Sequence, residues 1–284
     1  MQIIKLLRRF VRPSDIDQYL KSGRIPWSAG YKHYRYNVLA NIPTDQTLLN
    51  AFARGDALPH GFGVGIDERI VEYPWLLSRM SCSGSMVLDG GSVLNYPFLL
   101  DSPQLSDKRL VILTLAPEST MAKRQNVSYM FGDLRATLFK DEAFDLIVSA
   151  STLEHVGMDN AKLYTQDDMH NESQPDDYLK VIKEFRRILK PGGRFLMTVP
   201  YGKAQNLGWL YQFDRPRLEQ AIGAFGPGLK ASTFYKYDPD GWVMADEVAC
   251  ADCEYYDVHS ATSPAPDLAA AARAVACLEF VKHV

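Results

Sequence analysis

Five short apolar runs punctuate the middle of the chain: Met86–Asp89 (MVLD), Arg109–Leu115 (RLVILTL), Val127–Phe131, Phe144–Ser149 (FDLIVS) and Arg194–Val199 (RFLMTV). Continuous, β-branched apolarity predicts strands buried on both faces, as in a parallel sheet. Between the last two runs the period changes. Tyr178, Ile182, Phe185 and Leu189 recur at helical spacing, Val181 and Ile188 widen the stripe, and Lys180, Lys183, Glu184, Arg186 and Arg187 take the other face. This predicts an amphipathic helix over 177–190, stopped by Pro191-Gly192-Gly193. Strand alternating with helix predicts a doubly wound, parallel α/β sheet with right-handed crossovers. Ligands bind such sheets outside the carboxyl ends of the strands. That places Asp133 and the Ser149–His155 segment where a ligand is expected.

The flanks are less regular. Pro13-Ser14-Asp15 caps a predicted helix through Ile16, Tyr19 and Leu20, with Gly23 at its end. The aromatics Trp27, Tyr31, Tyr34 and Tyr36 either pack this segment onto the core, the reading we favour, or line a substrate mouth. A turn-rich linker, Pro59–Gly65, precedes a helix opened by Asp67-Glu68-Arg69 and bent by Pro74. An acidic insertion, Asp159–Asp177, interrupts the sheet. Beyond Tyr201 we expect a helix over Arg215–Phe225 and a strand over Lys230–Tyr237. A polar, turn-rich stretch follows from Asp238 to Pro266, then a helix-favouring run, Ala269–Ala272, and a last strand, Val275–Val281. The chain thus divides into a helical lead-in (1–80), a Rossmann-like core (81–202) and a part completing the sheet and the substrate pocket (203–284).

Composition narrows the function classes. Of 284 residues, 46% are hydrophobic and 23% charged, with net charge −3, so nothing global points to nucleic acid. Residues 1–12 alternate apolar with Lys5, Arg8, Arg9 and Arg12 and lack the pattern of a secretory signal. They read as a short amphipathic helix docked on the domain, or alternatively as a peripheral contact with an anionic membrane. No run approaches the ~18–20 apolar residues of a spanning helix. The four cysteines are Cys82, Cys250, Cys253 and Cys277, and we expect a reducing, cytoplasmic setting. Cys250-x-x-Cys253 is a single pair with only His259 nearby, short of the ligands of a structural zinc, so no metal is expected.

Four features stand in a telling order: strand-Leu88-Asp89-Gly90-Gly91; strand-Gly132-Asp133-Leu134; FDLIV followed by Ser-Thr-Leu-Glu-His; and helix-LKPGG-strand. Over residues 84–202 this resembles the class I S-adenosylmethionine-dependent methyltransferases, particularly their small-molecule "type 11" branch. The resemblance implies a seven-stranded, mostly parallel sheet with an antiparallel last strand, and S-adenosyl-L-methionine as cofactor. It implies that Asp89, Gly90 and Gly91 lie under the methionine part, that Thr114 and Leu115 face the ribose, that Asp133 and Leu134 contact the adenine, and that Ser149 and Ala150 flank the sulfonium. Two positions depart from the family pattern. Val93 stands where a second glycine is usual, and Thr114 stands where an acidic residue usually grips the ribose, with Glu118 four residues on.

Methyl transfer to an O–H or N–H acceptor gains from a general base. His155, a few residues beyond the fourth strand, is the candidate; the bland alternative is that it packs the turn. Glu154 is expected to bond near the cofactor or the substrate, and Tyr201, at the end of the fifth strand, to touch substrate. Trp209, Tyr211 and Phe213 either stack on a sugar or mark an edge strand. Asp159, Asp167, Asp168, His170 and Glu172 read as a solvated lid sooner than as a metal site. The segments DERIVEYPWL and AAAARAVACLEFVK look similar to methyltransferases associated with bacterial surface-polysaccharide assembly. The expected activity is therefore O-methylation of a small molecule or glycan; a degenerate binding or scaffolding module is the alternative. A nicotinamide oxidoreductase is excluded, because GGSVLN does not supply G-x-G-x-x-G.

Overall fold

The computed structural model describes residues 13–80, 85–118, 121–161 and 171–283. The expectations placed on residues 1–12, Cys82, Asp167, Asp168 and His170 lie outside them. The apolar runs form β1 (Met86–Gly90), β2 (Arg109–Thr114), β3 (Val127–Phe131), β4 (Phe144–Ala150) and β5 (Leu189–Pro200). The short pairs β6 (Gln205–Asn206) and β7 (Tyr211–Gln212) follow, then β8 (Leu229–Asp238), β9 (Gly241–Ala245) and β10 (Ala274–Val281). The main sheet has the order β3-β2-β1-β4-β5-β10-β8-β9. Strands β1 to β5 pair in parallel, and β10 is antiparallel to both β5 and β8.

The expected seven strands are thus all present, but the sheet has eight. The extra strand, β9, folds back on β8 inside the stretch read from sequence as polar turns. Its outward residues Val243 and Met244 are 38% and 41% exposed, so the run lacks the apolar continuity of a central strand.

Side chains alternate across the sheet and build two cores. Leu88, Leu113, Ile147, Phe195 and Met197 pack against Tyr178, Ile182 and Phe185 of helix Tyr178–Ile188, and against Leu218 and Phe225 of helix Arg215–Phe225. On the other face, Val87, Ile112, Leu146, Val148 and Leu196 meet Phe52 and the buried helix Arg69–Leu77. This second layer comes from the lead-in because the connections after β1, β2 and β3 are poor in helix. Among the described residues they hold only the single turn Pro97–Leu100. Helices Gln46–Arg54 and Arg69–Leu77 of the lead-in therefore supply buried residues to this core.

Two local expectations fail for tertiary reasons. The Tyr178–Ile188 helix ends before Lys190, and β5 already begins at Leu189. The run Ala269–Ala272 is a buried, non-helical strap. Its backbone groups are claimed elsewhere: the Ala270 carbonyl accepts from Trp27 Nε1 (2.6 Å), the Ala271 carbonyl from Tyr256 N (3.0 Å), and Ala272 N donates to Glu68 Oε2 (3.4 Å). Helix propensity yields to these partners.

Candidate active site

The sheet order puts β1 between β2 and β4, so the chain reverses its direction of travel there, and a crevice opens at that point. A cleft lies there, lined among others by Gly91, Thr114, Leu115, Asp133, Leu134, Arg135, Thr152 and His155. Six residues singled out from sequence therefore converge on one cleft.

The glycine turn forms its floor. The buried Asp89 carboxylate accepts from Val93 N (3.1 Å) and Leu94 N (2.7 Å), and burial pushes its pKa up to about 7. Asp89 thus closes the turn from within and does not line the cleft. Val93 is buried in the core, which explains why a glycine is dispensable there. Gly91 cannot be replaced so simply. Its φ is +119°, and a Cβ would fall 2.2 Å from Thr152 Oγ1. Gly91→Ala is expected to force Thr152 and the β4 turn out of place. We expect a loss of stability above about 1 kcal/mol, read in urea unfolding, together with a distorted cleft.

At the end of β2, the Thr114 hydroxyl is buried and has no hydrogen-bond partner among the described residues. Glu118 does not fold back toward it; its carboxylate accepts from Asn95 Nδ2 (2.8 Å), and Asn95 in turn accepts from Tyr129 (2.7 Å). Beyond β3 the sequence reading missed a partner. Arg135 donates to both Asp133 oxygens at 2.7–3.0 Å, to both Glu172 oxygens (2.5 and 2.7 Å) and to Asp177 (2.7 Å). Against the opposing effect of burial, these bonds hold the Asp133 carboxyl below its usual range. They also take up lone pairs of the carboxylate that the resemblance expected to face an adenine amino group, so Asp133 presents to the cleft as a charged pair with Arg135. No local pattern announces this cluster, since Glu172 and Asp177 are remote from Arg135 in the chain.

The far wall depends on Glu72, which helix Arg69–Leu77 buries completely. Its Oε1 accepts from Ser151 Oγ (2.6 Å) and Thr198 Oγ1 (2.5 Å), and its Oε2 pairs with Arg69. One carboxylate therefore ties the ends of β4 and β5 to the helical layer. Ser151, at φ +41°, holds a strained bend that turns Thr152 onto Gly91 and leads into the turn Leu153–His155.

His155 reaches the cleft from this turn. Its ring stacks on Trp209 (5.2 Å, 27°), and Nδ1 lies 2.9 Å from the Trp209 carbonyl. A carbonyl only accepts, so Nδ1 carries the proton and Nε2 the lone pair. Burial lowers the ring's pKa to about 4, so it is neutral at pH 7. Glu154 is buried beside it, with Oε1 3.7 Å from Nε2. Gly90, Ser149 and Ala150 lie outside the cleft lining; the Ser149 hydroxyl is buried without a partner among the described residues. Tyr201 is also outside it, its ring against Phe234 and its hydroxyl donating to Glu247 (2.9 Å). Trp209, Tyr211 and Phe213 do not form a common face: Phe213 is core, and Tyr211 lies in the two-residue β7.

Residues 101–197 match the family model described as a methyltransferase domain. The matched segment supports an enzyme that uses S-adenosylmethionine as its cofactor. A search among curated proteins gave no match. Among solved structures, the methyltransferase in complex with the Haloferax volcanii Trm112 methyltransferase activator is 15% identical, covers 86% of this chain and 98% of its own, and has a TM-score of 0.47. YcgJ from Bacillus subtilis is 13% identical over 74% of this chain and 97% of its own, with a TM-score of 0.46. Burkholderia thailandensis 1,6-didemethyltoxoflavin-N1-methyltransferase, with bound 1,6-didemethyltoxoflavin and S-adenosylhomocysteine, is 14% identical over 95% of this chain and 87% of its own, at 0.45.

The cleft lining has the chemistry that such a cofactor calls for. The orphaned Thr114 hydroxyl offers a polar contact, Leu115 and Leu134 offer apolar walls, and Gly91 leaves backbone exposed at the floor. None of the described helices is long and apolar enough to cross a membrane.

Proposed function

We propose that this methyltransferase transfers a methyl group to a hydroxyl of a small molecule or glycan, with His155 as general base. The observation that carries the reading is the state of His155. It lines the cleft, its Nδ1 is fixed by the Trp209 carbonyl, and its neutral Nε2 holds the free lone pair. When bound, S-adenosylmethionine supplies an electrophilic methyl group. The protein's share is to hold acceptor and cofactor in line, exclude water and take up a proton. Gly91, Thr114, Leu115, Asp133 and Leu134 are proposed to hold the cofactor, and Thr114 to bond its ribose. Asp133 acts together with Arg135, as a charged pair at the edge of the cleft. Tyr201 and Glu154 are set back from the cleft, so acceptor contacts fall first to His155, Thr152 and Asn160.

The direct experiment incubates the protein with S-adenosylmethionine and a panel of hydroxylated small molecules and sugars, and reads methylated product by mass spectrometry. Product on a hydroxyl, lost in His155→Ala, supports the proposal; product only on amines contradicts the O-acceptor. A second test uses Thr114→Val, which removes one unpaired buried hydroxyl at near-constant shape. We expect the ligand-free protein to become slightly more stable, and its affinity for S-adenosylhomocysteine to fall about tenfold, the equivalent of one hydrogen bond. Unfolding curves and calorimetric titration check the two halves separately.

A further inference from the structure

We propose that the acceptor is a neutral vicinal diol, such as an unphosphorylated sugar presents: the reacting hydroxyl donates to His155 Nε2, its neighbour donates to Asn160 Oδ1, and a phosphate or carboxylate in the neighbour's place is turned away. This rests on the reading of His155 as the base, and names the substrate class that the base serves.

The side-chain donors at this end of the cleft are already spent. Asn160 is buried and gives both amide hydrogens to backbone carbonyls, those of His155 (2.9 Å) and Met158 (3.1 Å). The reversed amide would set Oδ1 against the same two oxygens, so its orientation is fixed. Thr152 gives its single hydroxyl hydrogen to the Ala150 carbonyl (3.1 Å), and His155 turns Nδ1 to the Trp209 carbonyl (2.9 Å). The backbone amides of His155 and Val156 go to the carbonyls of Thr152 (3.1 Å) and Leu153 (3.2 Å). All three side chains line the cleft. What they can offer a ligand there is lone pairs: Asn160 Oδ1, Thr152 Oγ1 and His155 Nε2.

Arg135 does not restore a donor. It is the only arginine or lysine among the described lining residues, and Asp133, Glu172 and Asp177 engage all three of its side-chain nitrogens. A phosphate or carboxylate beside His155 would therefore meet side-chain lone pairs and leave its charge unpaired. A hydroxyl brings the donor that each of these groups lacks. Asn160 and Thr152 carry no charge, so a neutral donor suits them better than an ammonium, which calls for a carboxylate partner. Two hydroxyls on adjacent carbons match two adjacent acceptors: the Asn160 amide is bonded to the carbonyl of His155 itself, which holds Oδ1 beside the imidazole. Only the hydroxyl at His155 gives up its proton. The one at Asn160 keeps its proton and fixes the orientation of the diol.

The test incubates the full chain and S-adenosylmethionine with neutral sugars, sugar phosphates and uronic acids, and locates the methylated oxygen by fragmentation in the mass spectrometer. We expect the methyl group on a hydroxyl flanked by a second hydroxyl. Analogues of that sugar, with the flanking hydroxyl removed or phosphorylated, are then compared in wild type and Asn160→Ala. In wild type the deoxy sugar should show a KM about tenfold higher, the equivalent of one hydrogen bond, and the phosphorylated sugar a kcat/KM lower by at least about tenfold. In N160A the parent and the deoxy sugar should share one KM, a convergence that mere loosening of the fold would not produce. If N160A does not fold, the wild-type comparisons decide. A deoxy or phosphorylated sugar used as well as its parent overturns the proposal, as does product from no sugar at all. Hydroxyl product that survives His155→Ala, or product on amines alone, would instead overturn the reading of His155 on which the proposal rests.

Discussion

Glu72→Ala is expected to lower the unfolding free energy by about 3–5 kcal/mol, the cost of leaving a buried charge uncompensated. The Arg69 guanidinium would lose its carboxylate, and the hydroxyls of Ser151 and Thr198 would lose the oxygen they share. The strained Ser151 bend would also lose its restraint, so Thr152 would no longer be pressed against Gly91. Glu72→Gln keeps the shape and one acceptor oxygen, and should cost less. Urea unfolding at neutral pH measures both. A loss under about 1 kcal/mol for the alanine variant would mean that water or another group compensates Arg69, and that the end of β4 is held by packing alone.

The second large effect falls on turnover. His155→Ala should cut it by about 10²–10⁴-fold, the usual range for a positioned general base. Affinity for S-adenosylhomocysteine should change little, because in this account the ring serves the acceptor and not the cofactor. The replacement also removes the stacking partner of Trp209, so unfolding must be measured alongside, to separate lost chemistry from lost packing. The assay uses whichever hydroxyl acceptor the product screen identifies. Unchanged turnover would assign His155 to packing, and a collapse of cofactor affinity at full turnover per bound complex would assign it to the cofactor.

The central strands were legible because burial on both faces leaves an apolar run that few other structures need. β1, β2, β3 and β4 begin where the sequence placed them and end within a residue or two. The cleft followed from those strand ends, and Gly91, Thr114, Leu115, Asp133, Leu134 and His155 indeed share it. What stayed hidden depended on partners distant in the chain. Arg135 gathers carboxylates from another segment, Glu72 reaches two strand ends from the lead-in, and the alanine strap answers to Trp27, Glu68 and Tyr256. Side-chain direction was equally invisible. Asp89 lies in the expected strand end, yet its carboxylate turns inward to close the loop, and Tyr201 points to Glu247. Val93 departs from the glycine pattern, and its burial makes it a core residue beside the turn.

The measurement that most directly tests the account is calorimetric titration of the purified chain with S-adenosylhomocysteine. A cleft built as described predicts saturable binding of one ligand per chain, weakened about tenfold in Thr114→Val. No binding at millimolar ligand, or binding indifferent to Thr114, would contradict the claim that the ends of β1 to β4 hold the cofactor.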